Sequence, residues 1–218
     1  MSELYGNQHR ELQKAFDTEG LADAVKSNIV VNELADEHKG FIESRDLFFL
    51  TTVDHRGYPT CSYKGGSVGL VKALDNKTLA FPSYDGNGMF LSMGNINSNP
   101  KVGMLFIDFE TPHRVRVHGI ATADINSPLR DAFPGSELIV TLNITEVFIN
   151  CTRYIHKYKR LESSKYVPKL GCAVPLAQWK RIDNLQYSLP DRDKDIADIL
   201  GGTITTEQYV EMVLKGEA

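Results

Sequence analysis

One short stretch of the sequence brings together a hydroxyl group, an ammonium group and two glycines. It reads Pro59-Thr-Cys-Ser-Tyr-Lys-Gly-Gly66. Because successive residues of a strand face opposite sides, Ser62 and Lys64 share one face and Tyr63 takes the other. A hydroxyl, an ammonium and the backbone N–H groups of glycines can together hold a phosphate. A surface lysine beside a turn is the alternative interpretation.

A second stretch is a glycine-rich turn that leads into a predicted helix, Asp85-Gly-Asn-Gly-Met-Phe-Leu-Ser-Met-Gly-Asn95. The unpaired N–H groups and the positive end of a helix favour an anion without a large net charge. The stretch lacks the Gly-Lys-Ser/Thr ending of a P-loop and is not a G-x-G-x-x-G after a strand. A turn that only caps the helix explains it as well.

The third stretch alternates strictly, as Arg114-Val-Arg-Val-His-Gly119. Arg114, Arg116 and His118 then lie on one face of a strand. Guanidinium groups there can bind a phosphate or the polar edge of a heterocycle. A solvated face whose cations pair with acids of the neighbouring strand is the alternative.

Nucleophilic and metal chemistry find little support in the sequence. No G-x-S-x-G motif is present, and Cys61, Cys151 and Cys172 are far apart without a C-x-x-C pair. We therefore predict neither a disulfide framework nor a metal site, and no catalytic residue can be named. An enzyme with so few acid–base groups usually relies on a cofactor for its chemistry.

The chain has 218 residues, 42% of them hydrophobic, and a formal net charge of −4. This balance excludes a broad polyanion-binding surface, so we expect neither a nucleic-acid nor a membrane partner. The first 20 residues are polar, and no window holds the roughly 18 apolar residues of a membrane span. We expect a cytoplasmic protein.

The pattern of the chain predicts a mainly β protein with flanking helices. Two short amphipathic helices are expected between residues 8 and 42, and a short helix follows the turn at residues 84–89. Roughly six antiparallel strands with one inserted helix favour a small closed barrel over a sandwich. We expect one structural domain, with an N-terminal helical extension (1–42), a barrel (43–155) and a loop-rich and helical C-terminal extension (156–218). The predicted strand segments are 46–54, 58–63, 70–74, 78–82, 102–109, 114–123 and 138–151.

These motifs, in this order, resemble the pyridoxamine 5'-phosphate oxidase-like superfamily of FMN-binding split barrels. The segments that carry the resemblance are F-L-T-T-V-D-x-x-G-Y-P, S-Y-K-G-G, L-A-F-P-S-Y-D-G-N-G-M-F and R-V-R-V-H-G. It covers residues 40 to 155. The chain is most similar to the branch called pyridoxamine 5'-phosphate oxidase-related, FMN-binding, with which it shares N-C-x-R-Y-I at residues 150–155. The resemblance implies a six-stranded antiparallel split β-barrel.

The resemblance also implies a homodimer with FMN in a cleft between the subunits. Its phosphate is expected beside the second strand and the short helix, and a polar residue at position 114 beside the isoalloxazine ring. The positions that match the family's cofactor site are Ser62, Tyr63, Lys64, Asn87, Gly88, Met89, Ser92, Asn95, Arg114 and Arg116. One of the three cations at positions 64, 114 and 116 is expected to supply the positive charge for the phosphate.

Two departures separate the chain from the biosynthetic oxidase. That enzyme places an Arg-Lys pair on the helix, where this chain has Leu91 and Ser92. Its C-terminal substrate motif does not align here, although Trp179 offers an analogous aromatic group beside two cations. Arg153 and Tyr154 leave the last strand near the same cleft. We expect these three residues either to reach the flavin of a partner subunit or, for the tryptophan, to pack internally.

The leading functional prediction is an FMN-dependent oxidoreductase that acts on a small molecule by hydride transfer. A non-catalytic flavin-binding or sensor protein is the first alternative. The second alternative is a split barrel that uses a deazaflavin or haem in place of FMN.

Overall fold

The computed structural model describes residues 4–218. The chain divides into two compact units, Met1–Gly171 and Cys172–Ala218. The first unit contains the sheet, and the second contains only helices, turns and coil. The expected division at residues 42 and 155 stays a prediction.

The sheet of the first unit has seven strands, and every neighbouring pair is antiparallel. Their order across the sheet is β2-β1-β5-β6-β7-β4-β3. The strands are β1 (Leu47–Val53), β2 (Pro59–Gly65), β3 (Lys72–Ala73), β4 (Thr78–Ser83), β5 (Lys101–Asp108), β6 (His113–Asp124) and β7 (Leu138–Ile149).

This sheet curls around one core, which confirms the predicted split barrel. Alternate residues of β1 and β5 are fully buried, as a sheet with one apolar face requires. Phe48 of β1 and Phe81 of β4 stand far apart in the strand order, yet their ring centroids are 5.0 Å apart. The resemblance implied six strands, whereas the sheet has seven, and the shortest, β3, has two residues.

A bulge bends the long strands β6 and β7 where the register shifts between His118 and Gly119. A Cβ atom on Gly119 would lie 2.4 Å from the carbonyl oxygen of Asn143. Only glycine lets the two backbones approach this closely, so the bulge and the glycine belong together.

The N-terminal region has three helices, where the sequence pattern predicted two. The chain breaks after residue 15 because Asp17 adopts a left-handed backbone with φ 53°. Gly20 lies inside the second helix. Residues 30–35 run as coil, with a single bridge from Val31 to Val147 of β7. The helices are α1 (Asn7–Ala15), α2 (Glu19–Ile29) and α3 (Asp36–Glu43).

A fourth helix, α4 (Leu91–Ser98), lies in the position that the sequence predicted. Met93 and Ile96 on this helix are buried in the barrel core. The helix contacts β1 and β6, so it packs against the inner side of the sheet.

The second unit contains three short 3₁₀ helices and two α-helices. Thr205 caps the last helix by accepting a hydrogen bond from the Gln208 N–H, and Gly201 and Gly202 separate the two α-helices. No helix among residues 4–218 is both long and apolar enough to cross a membrane. The 3₁₀ helices are Gln178–Arg181, Asp183–Ser188 and Asp191–Asp193, and the α-helices are α5 (Ile196–Ile199) and α6 (Thr206–Lys215).

Candidate functional site

A cleft of about 920 Å³ opens in the first unit. Its walls come from β1, β2 and β5, from the turn after β4, and from the coil at residues 158–168. Backbone and ring contacts hold that coil against the barrel. The Tyr158 N–H donates to the Phe109 carbonyl at 3.1 Å, and the two rings meet edge to face at 5.6 Å. The cleft is large enough for a ligand of drug or nucleotide size.

Lys64 lines this cleft as a half-buried cation. It pairs in register with Phe48, so its side chain leaves the sheet on the side of the barrel core. Burial lowers the pKa of its ammonium group. Among residues 4–218 the ammonium has no hydrogen-bond or ion-pair partner. An ammonium that has lost water without gaining a carboxylate is a binding site for an anion.

Two other cations on the cleft wall are already neutralised by carboxylates. Arg45 forms an ion pair with Asp108 at 2.9 Å. Arg160, from the coil, forms an ion pair with Asp46 at the start of β1. Lys159 also lines the cleft without an ion pair, but it is exposed, so the half-buried Lys64 is the better candidate for an incoming anion.

Side-chain hydrogen bonds join α4 to the hairpin next to this cleft. The hydroxyl oxygens of Ser62 and Ser92 are 3.0 Å apart. The Asn95 amide donates to the hydroxyls of Thr52 at 3.0 Å and Thr60 at 3.2 Å. Ser92 and Asn95 are each 6% exposed. Asn95 therefore positions α4 from inside the barrel. Ser62, the partner of Ser92, lies on the same face of β2 as Lys64.

The helix α4 begins without a capping side chain. The residue before it, Phe90, has a left-handed backbone with φ 47° and makes no side-chain cap hydrogen bond. The first N–H groups of a helix have no acceptor within the helix. Together with Lys64, Ser62, Ser92 and this helix start are the kinds of donor that a phosphate needs, although only Lys64 of this group lines the cleft.

The side chain of Asn87 stabilises the turn before α4. The Met89 N–H donates to the Asn87 side-chain oxygen at 3.1 Å, and Gly88 has φ 77°. Met89 is 66% exposed. These three predicted site residues do not line the cleft, whereas Asp85 and Gly86 of the same turn do.

Arg114 and Arg116 lie on the opposite face of the sheet from Lys64. Strand register forms one row across five strands on that face, through Tyr63, Phe49, Leu105, Arg116 and Phe148. We call this the outer face. Lys64 instead stands beside the buried Phe48 on the core side. The ten predicted cofactor residues are thus divided between two sides of the sheet.

The two arginines carry charges that no carboxylate of residues 4–218 balances. The Nε atom of Arg114 is buried and has no hydrogen-bond partner. The Arg116 guanidinium lies 5.5 Å from the Phe148 ring centre. Burial, followed by the charge of Arg114, lowers the pKa of Arg116. Only His118 on this face pairs with an acid of the neighbouring strand, Glu146 at 3.0 Å.

The residues that the resemblance assigned to a partner's cleft lie at two places. The Arg153 guanidinium stacks over the Tyr154 ring at 5.6 Å, and Tyr154 is 86% exposed. Trp179 belongs to the second unit, where Lys180 lies 5.7 Å from its ring centre. Their approach to a flavin stays a prediction.

Sequence reasoning missed one residue of the cleft wall and two residues that bind the helix α4. The register of the hairpin places Thr52 opposite Thr60, and their hydroxyl oxygens are 2.8 Å apart. This pair could be found by counting back from the turn at residues 54–57. Arg160 has no comparable signal, because it lies 114 positions from its partner Asp46 in an irregular segment.

A curled antiparallel sheet with an inserted helix defines the class as a split barrel, and its cleft contains a half-buried lysine without a carboxylate partner. The sequence model described as pyridoxamine 5'-phosphate oxidase matches residues 34–142, half of the chain. The chain belongs to this family. No curated protein matches it.

Solved structures are similar over about half of the chain. A provisionally assigned pyridoxamine 5'-phosphate oxidase from Lactobacillus delbrueckii is 26% identical, with a TM-score of 0.44, over 54% of this chain and 95% of that one. HupZ from Group A Streptococcus is 19% identical, with a TM-score of 0.44, over 53% and 93%. An FMN-binding protein from Syntrophomonas wolfei is 12% identical, with a TM-score of 0.41, over 64% and 97%.

Proposed function

We propose that this chain is an FMN-binding flavoprotein that oxidises or reduces a small molecule. The observation that carries the proposal is the half-buried ammonium of Lys64, which faces a cleft of about 920 Å³ without a carboxylate partner. Membership of the pyridoxamine 5'-phosphate oxidase family supports a flavin as the ligand. FMN combines a phosphate with a planar ring system, and both parts suit a long cleft with one cationic end.

The residues on the core side of the sheet fit a phosphate. Lys64 supplies the charge, and the hydroxyls of Ser62 and Ser92 and the start of α4 supply neutral donors. Charge-assisted hydrogen bonds are about twice as strong as neutral ones, so the lysine contributes most. This set replaces the Arg-Lys pair that the biosynthetic oxidase carries on its helix.

The chemistry of the proposed reaction belongs to the cofactor. When bound, FMN supplies hydride transfer at its flavin ring. The chain holds and orients it, and the coil at residues 158–168 forms one wall of the cleft and limits the access of water. No side chain needs to exchange a proton for this role.

The sheet separates the cations that the sequence offered for the phosphate. The side chain of Lys64 extends from the core side of the sheet, and those of Arg114 and Arg116 extend from the outer face. One phosphate group cannot contact both sides of the same strand layer. We therefore assign the phosphate to the lysine.

The proposal includes a homodimer that pairs through the outer face. Tyr63 is 62% exposed there, and Phe49 and Leu105 beside it are only half-buried. Aromatic and aliphatic side chains in one row across five strands are typical of a protein interface. A second copy of this chain fits this surface because a C2 dimer needs one self-complementary patch.

Titration with FMN tests the proposal directly. We expect the purified protein to bind FMN, and Lys64→Ala to raise the Kd about tenfold or more, since losing a charged hydrogen bond costs roughly 1.5–3 kcal/mol. Lys101→Ala, which removes an exposed lysine from the same barrel, is the matched control and should leave the Kd unchanged.

Three measurements separate the possible outcomes: flavin absorbance or uptake, the Kd of the Lys64 variant, and bleaching of the bound flavin. A protein that neither absorbs at the flavin bands nor takes up added FMN contradicts the proposed function. An unchanged Kd in Lys64→Ala removes the lysine from the phosphate site. Bleaching of the bound flavin by NADH or NADPH supports an oxidoreductase over a flavin store.

A further inference from the structure

We propose that residues 158–168 form a strap that opens and closes the cleft, and that the ion pair between Arg160 and Asp46 is its latch. The identity of the ligand that the strap encloses rests on the proposed function, whereas the latch does not depend on it. The strap lies beyond residues 34–142, the part of the chain that matches the family model, so family membership does not account for it.

The two ends of the strap are anchored on different walls of the cleft. At one end, the Tyr158 N–H donates to the carbonyl of Phe109, which follows β5. At the other end, Pro168 packs against Gly135, where an added Cβ would lie 2.7 Å from the proline Cβ. Gly135 belongs to the turn before β7, and a backbone N–H of that turn donates to the Ser83 carbonyl at the end of β4. The strap therefore crosses the cleft from the β5 wall to the β4 wall.

The middle of the strap is exposed to solvent. Residues 159–165 are all exposed, and Leu161 reaches 97%. The strap contains no helix or strand. A segment with few buried contacts and no regular backbone hydrogen bonds opens at a low cost in free energy. The middle of the strap can therefore lift away while the barrel stays folded.

An ion pair joins this exposed middle to the barrel. Arg160 pairs with Asp46, which precedes β1 and lines the cleft. The two side chains are 55% and 25% exposed. Ion pairs that water reaches in this way contribute little to stability, so the pair breaks and re-forms easily. A contact of this strength suits a gate better than a fixed wall.

Charge couples the latch to an anionic ligand. The closed strap places Lys159 and Arg160 on the cleft wall. When the strap opens, these two cations leave, and the Asp46 carboxylate stays behind without its partner. An anion in the cleft therefore binds the closed state better than the open state. A ligand with such a difference in affinity shifts the population towards the closed state, so we expect a bound phosphate group to close the strap.

Limited digestion of the full chain with trypsin measures how often the strap is open. Cleavage after Arg160 requires an open strap, and its rate follows the open population when opening is fast relative to cleavage. We expect Asp46→Asn to raise this rate about two- to fivefold, the effect of losing an exposed ion pair. Cleavage after Lys101 on β5 requires the barrel to unfold, so it is the internal reference and should keep its rate.

Glu110→Gln is the matched control. Glu110 is an exposed carboxylate of the same cleft, and it has no ion pair with the described residues. Its substitution removes the same charge without changing the latch, so the rate after Arg160 should stay the same. Arg160→Gln keeps the test decisive if Asp46→Asn does not fold. This variant lacks the cleavage site at position 160, so cleavage after Lys165 is followed instead and should rise by a similar factor.

FMN and riboflavin test the coupling to the ligand, because riboflavin has the same ring system without the phosphate. Saturating FMN should slow cleavage after Arg160 in the parent protein about threefold or more. Riboflavin should slow it less, since it lacks the charge that favours the closed strap. Cleavage after Lys101 again serves as the reference for a general gain in stability on binding.

The outcomes are distinct from those for the flavin. Faster cleavage of Asp46→Asn after Arg160, in a protein that binds no FMN, supports the latch and contradicts only the proposed cofactor. An unchanged rate in Asp46→Asn, or an equal rise after Lys101, overturns the latch even if FMN binds. Equal protection by FMN and riboflavin, or no protection by bound FMN, overturns closure by a phosphate group.

Discussion

At the scale of single residues, the position of each charge relative to the sheet decides its role. Lys64, Arg114 and Arg116 were equivalent candidates for one phosphate as long as only the sequence was considered. Register separates them, because Lys64 pairs with Phe48 on the core side and Arg116 belongs to the row of Leu105. The alternation of β2 could be predicted from the sequence. Which side of β2 faces the interior depends on how the strands pair. Some partners are distant in the sequence, as for Phe49 of β1 and Leu105 of β5.

The sequence alone also did not reveal the hydrogen-bond partners of buried polar residues. The family resemblance implied that Asn95 faces the cofactor, because it matches a helix position of the family's cofactor site. In the structure its amide donates to Thr52 and Thr60 inside the barrel. The helix could be predicted from local signals, whereas the threonine pair required knowledge of the hairpin register.

Asn95→Ala tests this positioning role. We expect it to lower the free energy of unfolding by about 1–3 kcal/mol, since it leaves two buried hydroxyls without their shared donor. Urea denaturation measures this difference. Asn97→Ala, at an exposed position on the same helix, should change stability by less than about 0.5 kcal/mol. Equal effects of the two substitutions would show that the buried network contributes nothing specific.

At the scale of elements, local signals predicted the strands better than the N-terminal helices. Strict alternation and short turns located the hairpin and the long strands. The predicted number of helices was wrong because α1 ends before Asp17, an aspartate with a left-handed backbone. Aspartate tolerates this conformation, but its identity alone does not reveal it. The bulge at Gly119 was equally hidden, because a glycine within a strand indicates several different features.

Gly119→Ala tests the close approach at the bulge. The new Cβ would lie 2.4 Å from the Asn143 carbonyl oxygen and 2.7 Å from the Leu142 side chain. The strands must separate, so we expect a loss of about 1–3 kcal/mol in the free energy of unfolding. Gly94→Ala is the matched control, because nothing lies within 4 Å of its added Cβ on α4. That substitution should stabilise the protein by up to about 1 kcal/mol. Similar losses from both would refute the steric explanation.

At the scale of the whole molecule, a net charge of −4 coexists with local concentrations of positive charge. The overall balance excluded a polyanion partner. It left open how a small anion could be held, and Lys64 in the cleft is the place that we propose. A second copy of the chain on the outer face would bury the row of apolar residues there.

The proposed dimer can be tested at the end of this row, on the edge strand β2. Tyr63 is 62% exposed, and its ring lies 6.0 Å from that of Phe49. Tyr63→Arg places a new cation on each of two facing copies, so desolvation and repulsion should raise the dimer Kd at least tenfold. Tyr58→Arg is the matched control, because Tyr58 is similarly exposed, at 65%, but lies in the hairpin turn. Sedimentation should give about twice the 24.4 kDa chain mass for the parent protein and the control, and a smaller average mass for Tyr63→Arg. A parent protein that sediments as a monomer at micromolar concentration contradicts the dimer. A Tyr63→Arg variant that stays dimeric moves the interface to another surface.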